Sequence, residues 1–114
     1  MSHDATAPLD PQDAYVDVAA EIFRMLSDPT RVRIILALQD GERSVSQLAE
    51  VVAKSPTVVS QHLSKMRLGR LVRARREGTT MHYSLIDEHV RRLVTEAVFQ
   101  AEHSVDDQPP HHRG

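Results

Sequence analysis

The hydrophobic period of this chain changes once and then changes back, and that switch limits the folds open to it. Up to Gly69 the apolar residues recur at helical spacing. In Leu71–Arg76, Val72 and Ala74 alternate with Arg73 and Arg75; after Glu77-Gly78, Met81, Tyr83 and Leu85 alternate with Thr80, His82 and Ser84. Alternation interrupted by a glycine-containing turn predicts a β-hairpin. From Asp87 the helical period returns, with Val90, Leu93, Val94, Ala97, Val98 and Ala101 on one stripe.

Helix starts are marked twice by a capping residue followed by proline, at Asp28-Pro29 and at Ser55-Pro56. A first helix is expected from about Gln12 to Leu26, since Pro8 and Pro11 oppose an earlier start. A second runs from Pro29 to about Gln39, stopped by Asp40-Gly41, and is apolar nearly all round. Ser44 or Ser46 caps a short third helix. The fourth places Val59, Leu63 and Met66 on one face and ends at Gly69. The third and fourth, joined at Ala53-Lys54, form a helix-turn-helix candidate. The last helix spans about Asp87 to His103. The expected fold is mainly α with a β-hairpin wing: a dimeric winged helix-turn-helix of order α-α-α-α-β-β-α. It divides into an N-terminal arm (1–11), a DNA-binding and dimerisation domain (12–103) and a His-containing tail (104–114).

A chain of 114 residues is one domain's worth. It contains no cysteine, which excludes disulfides, thiol catalysis and thiolate metal sites. No apolar run approaches the roughly 20 residues of a membrane span and no secretory segment is evident, so a cytoplasmic protein without membrane association is expected. Net charge is only −2. Its distribution is uneven: Glu42–Ile86 holds eight Lys and Arg against three Glu, a net of +5, which leaves −7 for the rest. A basic centre between acidic ends suits a chain that meets a polyanion on one face.

In a winged helix the second helix of the motif enters the major groove and the ribbon lies along the backbone. Ser55, Thr57, Ser60, Gln61 and His62, with Val58 beside them and Lys65 one turn on, are the candidate groove contacts. In the hairpin Arg73, Arg75 and Arg76 are expected to face one way, with Thr79 at the turn. Capping alone explains Ser55, and an arginine run alone is usually a solvated face. The combination with the basic segment favours operator DNA.

The apolar stripe of the last helix, followed only by a polar tail, points to a homodimer. Asp87 and His89 begin that helix, and Glu102 and His103 end it. His89 and His103 lie about 21 Å apart along a helix, so one helix cannot chelate with both ends. Two antiparallel helices across a dimer axis can. His111 and His112 follow on the tail as a possible clasp. His3 would join a metal only through the terminal amine, and His62 and His82 are not assigned to metal.

These features resemble the ArsR/SmtB family of bacterial metal-sensing repressors over about residues 14–103. The resemblance is carried by FRMLSDPTRVRIILAL, SVSQLAE, SPTVVSQHLSKMRLGRLV, RREGTTMHYSL and DEHVRRLV. It implies a dimeric winged helix that leaves its operator when metal binds. Family members that sense through the last helix commonly have Asp and His at its start and two His at its end. Asp87, His89 and His103 match, whereas Gln100 stands in place of the other late histidine. VTEAVFQAEH followed by PPHHR is closer to the nickel- and cobalt-sensing KmtR-like subgroup. That resemblance implies His89, Glu102, His103, His111 and His112 as ligands, with Asp87 a sixth. Five or six nitrogen and oxygen donors suit nickel(II) or cobalt(II), whereas four satisfy tetrahedral zinc. A zinc-responsive repressor and a winged-helix repressor with a non-metal signal are the alternatives. An enzyme is not expected, because no nucleophile elbow or glycine-rich loop is present.

Overall fold

In the computed structural model, which describes residues 8–106, the chain runs α1 (Val16–Met25), α2 (Pro29–Ala37), β1 (Arg43–Ser44), α3 (Val45–Val52), α4 (Pro56–Leu68), β2 (Val72–Glu77), β3 (Thr80–Leu85) and α5 (Glu88–Asp106). His3, His111 and His112 lie outside the described residues. The winged helix-turn-helix expected from the sequence is present, with one more strand: β1 gives the order α-α-β-α-α-β-β-α and a three-stranded antiparallel sheet β1-β3-β2. Arg43 pairs with Tyr83 and Ser44 with His82. Two residues are too few for a period of two to register, so this strand becomes visible only through its partner.

Side-chain caps set the helix starts. Asp28 Oδ1 accepts from the Arg31 N–H and Ser55 Oγ from the Val58 N–H, each with proline at the next position. Ser44, not Ser46, caps α3, in a reciprocal box with Gln47. Helix α1 begins at Val16 rather than Gln12. Asp10 Oδ1 accepts from the Gln12 N–H at 2.8 Å and Asp13 Oδ1 from the Tyr15 N–H at 2.7 Å, local turns that compete with helical bonding. Helix α2 stops at Ala37, two residues early. Helix α5 continues to Asp106, past His103, since Ser104, Val105 and Asp106 include no breaker.

The core lies where α2, α3 and α4 meet the sheet and the first half of α5. Ile34, Ile35, Leu48, Val59, Leu63 and Met66 are fully enclosed, and Val72, Tyr83, Val90 and Val94 extend the cluster. Burying each large apolar side chain contributes about 1.5–3 kcal/mol before entropy is charged against it. Helix α1, by contrast, has no buried residue.

Three tight turns shape the reading unit. The β2–β3 register runs unbroken from Val72↔Leu85 to Glu77↔Thr80, closed by a two-residue loop whose first residue, Gly78, has φ +63°. Helix α4 ends in a Schellman arrangement: the Arg70 N–H donates to Arg67 O at 3.0 Å and the Leu71 N–H to Met66 O at 2.9 Å. The left-handed residue there is Arg70 (φ +60°), not Gly69. Gly69 answers a different need, since a Cβ at that position would lie 3.3 Å from Met25 Cε. Helix α3 closes in the same way with Ala53 at φ +57°, and this left-handed turn sets the angle between α3 and α4.

A left-handed alanine carries strain that glycine does not. Ala53→Gly should therefore raise stability by up to about 1 kcal/mol, net of the larger unfolded-state entropy of glycine. Urea denaturation of the two proteins checks this, and Ala53→Val should lower stability.

Candidate nucleic-acid interface and metal centre

Helix α4 is divided by its own periodicity. Val59, Leu63 and Met66 are sealed in the core, which turns Thr57, Ser60 and Gln61 outward. These three line one shallow surface with Val45, Pro56 and Ser64. Ser64 was not among the residues singled out from the sequence; its i+3/i+4 relation to Ser60 and Gln61 was the available signal. Val58 is 37% exposed and Lys65 is exposed on the flank of the strip. Ser55 is spent on its cap. His62 is half-buried, and its Nδ1 accepts from Arg31 Nε at 3.0 Å.

The wing departs from expectation. Strand alternation without a bulge puts Arg73 and Arg75 on one face and Arg76 on the other, so the three arginines do not face one way. Arg75 is doubly engaged: its Nε and Nη2 donate to the Glu42 carboxylate at 2.9 and 2.8 Å, and Nη1 donates to Glu77 at 3.1 Å. Those hydrogen bonds hold the Glu42 carboxyl below its ordinary range and push the Arg75 guanidinium further up. Arg73 donates to Ile86 O at 3.0 Å and Arg43 to Ala37 O at 2.7 Å. Among the described residues Arg33, Lys54, Lys65, Arg67, Arg70 and Arg76 keep exposed cationic ends without such a partner, and Thr79 is exposed at the turn.

The metal candidates divide between the two ends of α5. Asp87 Oδ1 accepts from the Val90 N–H at 3.1 Å and so caps the helix, leaving Oδ2 for a ligand; His89 is exposed in the first turn. Glu102 and His103 are exposed near the far end. Among the described residues of one protomer no three His, Asp or Glu come together to hold an ion. Adjacent Glu88 is taken by Arg91, with Arg92 at 3.9 Å.

Between these ends lies an uncovered apolar face. Phe23 and Leu26 of α1 and its exit, Val32 of α2, and Leu93, Ala97 and Ala101 of α5 line one groove. Phe23 and Phe99 are each more than half exposed. Val94, at the floor of this groove, is only 3% exposed and also belongs to the protomer's own core. No described helix is long and apolar enough to cross a membrane.

Residues 28–74 match the model of the bacterial regulatory protein, arsR family. The chain is 54% identical over 101 residues to the HTH-type transcriptional regulator KmtR of Mycobacterium tuberculosis, covering 89% of this chain and 78% of that protein. It is 33% identical to the HTH-type transcriptional repressor SmtB of the same species, over 84% of this chain and 71% of the relative. Its fold matches the solution structure of a homodimeric winged helix-turn-helix DNA-binding domain from Mycobacterium bovis, a possible ArsR-family regulator. That match has a TM-score of 0.75 and 30% identity, over 90% of this chain and 95% of the other.

The Glu42–Arg75 pair gives a titration test. Glu42 should titrate below its ordinary 4.5 and return toward it in Arg75→Ala, as followed by carboxyl NMR. Because the folded-state value is depressed, the pair's contribution to stability is complete above pH 4.5 and fades as pH falls through the lowered value.

Proposed function

The chain belongs to the ArsR family of bacterial regulatory proteins, transcriptional regulators and not enzymes, and we propose that it is a dimeric, metal-responsive repressor released from operator DNA by nickel or cobalt. The observation that carries this reading is the separation of donors on α5, with Asp87 and His89 at one end and Glu102 and His103 at the other. The helix lies beside an apolar groove that its own domain leaves open. Helix α1 packs only Ile22, Met25 and Leu26 against its own core and leaves Val16, Val18 and Phe23 exposed. A second copy packed through α1 and α5 would cover both faces. With the two α5 helices antiparallel, His89 of one protomer would meet Glu102 and His103 of its partner, giving two symmetric sites per dimer. The homodimeric M. bovis domain supports this assembly.

The working unit runs from residue 12 to the end of α5 at Asp106, three residues beyond the His103 boundary expected from the sequence, with 1–11 as an arm and the residues after α5 as a tail whose His111 and His112 would complete the ligand set. The donor set fits the ion: imidazole and carboxylate donors without thiolate, in a number above four, favour nickel(II) or cobalt(II) over tetrahedral zinc. Similarity to KmtR, and the resemblance to its nickel- and cobalt-sensing subgroup, supports the same choice. Bound metal would favour one spacing of the two α4 helices over another. Without such a preference it could not affect DNA affinity. Function in the cytoplasm follows from the need to reach operator DNA.

On DNA, the outward strip Thr57, Ser60, Gln61 and Ser64 would face base edges, with Val58 and Lys65 at its flank. Arg76, rather than the ion-paired Arg75, would supply the wing's phosphate contact. Arg76→Ala should weaken binding to all sequences and flatten the salt slope by up to about one unit per protomer. Arg75→Ala should change the slope less. Fluorescence anisotropy across a salt series distinguishes the two.

The metal reading is tested by titrating nickel, cobalt and zinc into the protein bound to its promoter DNA. Removing residues 109–114 should spare DNA binding and dimerisation but blunt release by nickel and cobalt. His89→Ala should abolish release by any of the three. Undiminished nickel and cobalt release after tail deletion would remove His111 and His112 from the site and return the reading to a helix-only sensor.

A further inference from the structure

The outward strip of α4 does not stop at Ser64. Thr57, Ser60, Gln61 and Ser64 recur at i, i+3, i+4 and i+7, and the same spacing continues to Arg67 and Leu68. Ser64 lines two adjoining surfaces, one with Thr57, Ser60 and Gln61 and the other with Arg67, Leu68 and Arg70. All four residues of the second surface are exposed, Leu68 by 85%. No carboxylate lines it, and no ion pair among the described residues engages Arg67 or Arg70.

Neither guanidinium is needed to finish the helix. Its last carbonyls are taken by backbone: Lys65 O accepts from the Gly69 N–H at 2.9 Å, Arg67 O from the Arg70 N–H at 3.0 Å and Met66 O from the Leu71 N–H at 2.9 Å. Arg67, in the last turn, suits the negative end of the helix dipole, which accounts for one cation there. Arg70 lies past the helix. It holds a left-handed conformation, φ +60°, that glycine adopts most readily, and this turn brings it back beside Ser64 and Arg67.

We propose that Arg67 and Arg70 form a phosphate clamp that anchors the C-terminal end of α4 on the DNA backbone. From Thr57 to Ser64 the strip is about 10 Å long at 1.5 Å per residue, against a major groove about 12 Å wide. A helix that presents this strip to base edges brings its next turn to the groove wall, where the acceptors are phosphate oxygens. Two guanidiniums offer charged, forked donors to such an anion, and together they outweigh the unfavourable end of the helix dipole. Leu68, between them, is left against deoxyribose. The clamp carries no base information; it fixes the register and depth of the strip beside it. The role rests on the reading of α4 as the helix that meets DNA. It adds a contact on a different element from Arg76 of the wing.

The experiment uses the full-length protein, a duplex that it selects from random sequence and a non-specific duplex of equal length, with affinity followed by fluorescence anisotropy across a salt series. Arg70→Gly suits the backbone at that position, so it should melt no lower than the wild type. It should nevertheless weaken binding to both duplexes by a similar factor, roughly three- to tenfold, and flatten the salt slope by up to about one unit per protomer. Arg67→Gln should have the same effect on DNA. Gln61→Ala, by contrast, should lower the preference for the selected duplex and leave the slope unchanged. Single neutral methylphosphonates placed along the selected duplex then locate the contact. One position in each half-site should weaken the wild type and have no effect on the double variant Arg67→Gln, Arg70→Gly. Unchanged slopes in both single variants, or every methylphosphonate effect retained in the double variant, would overturn the clamp. An unchanged preference among duplexes in both Ser60→Ala and Gln61→Ala would overturn the reading of α4 itself, and the clamp with it.

Discussion

The enclosure of Ile34 and Ile35 from α2, Leu48 from α3, and Val59, Leu63 and Met66 from α4 is the constraint on which the rest of the molecule depends. Close-packed apolar side chains leave few alternative arrangements of three short helices. Once Val59, Leu63 and Met66 are sealed, the rotation of α4 about its axis is settled, and Thr57, Ser60, Gln61 and Ser64 have only one direction in which to point. The left-handed turn at Ala53 and the Schellman end at Arg70 hold the two ends of this arrangement. A reading surface is thereby obtained from core packing, without hydrogen bonds between the reading side chains themselves.

Around this fixed centre the chain leaves two of its surfaces unfinished. Helix α1 has no fully buried residue, and the groove it forms with α2 and α5 is apolar and open. The α5 donors sit too far apart to act on one protomer's ion. Both features have the same resolution in a second copy, which would cover the apolar face and bring opposite helix ends together. An assembly that completes a binding site also lets the ligand act on the spacing of the two halves, the physical requirement for coupling metal to DNA.

The cations of the central segment are not all equally available to a ligand. Arg43 and Arg73 satisfy backbone carbonyls, and Arg75 holds Glu42 and Glu77. The last pairing braces the wing tip against the short segment that leads into β1. The cations left for a polyanion lie at the α3–α4 turn (Lys54), along and after the end of α4, and on the far side of the wing. The count of +5 already subtracts Glu42 and Glu77, so their pairing with Arg75 does not lower it; it decides which cations carry that charge.

Local rules written in the sequence determined the type and order of the long elements. Asp28-Pro29 and Ser55-Pro56 set helix starts within a residue, the change of period marked the hairpin, and the i, i+4, i+7 spacing of Val59, Leu63 and Met66 gave the buried side of α4. These signals are legible because a cap, a turn or a face is decided by residues a few positions apart. Tertiary structure alone decided the rest. Strand β1 exists only by pairing with β3, Arg75 is neutralised by Glu42 from 33 positions away, and His62 is oriented by Arg31 from 31 positions away. A hydrogen bond acts over about 3 Å of space and carries no mark of sequence separation. Which donors and cations remain available to a ligand therefore could not be read before the chain was folded.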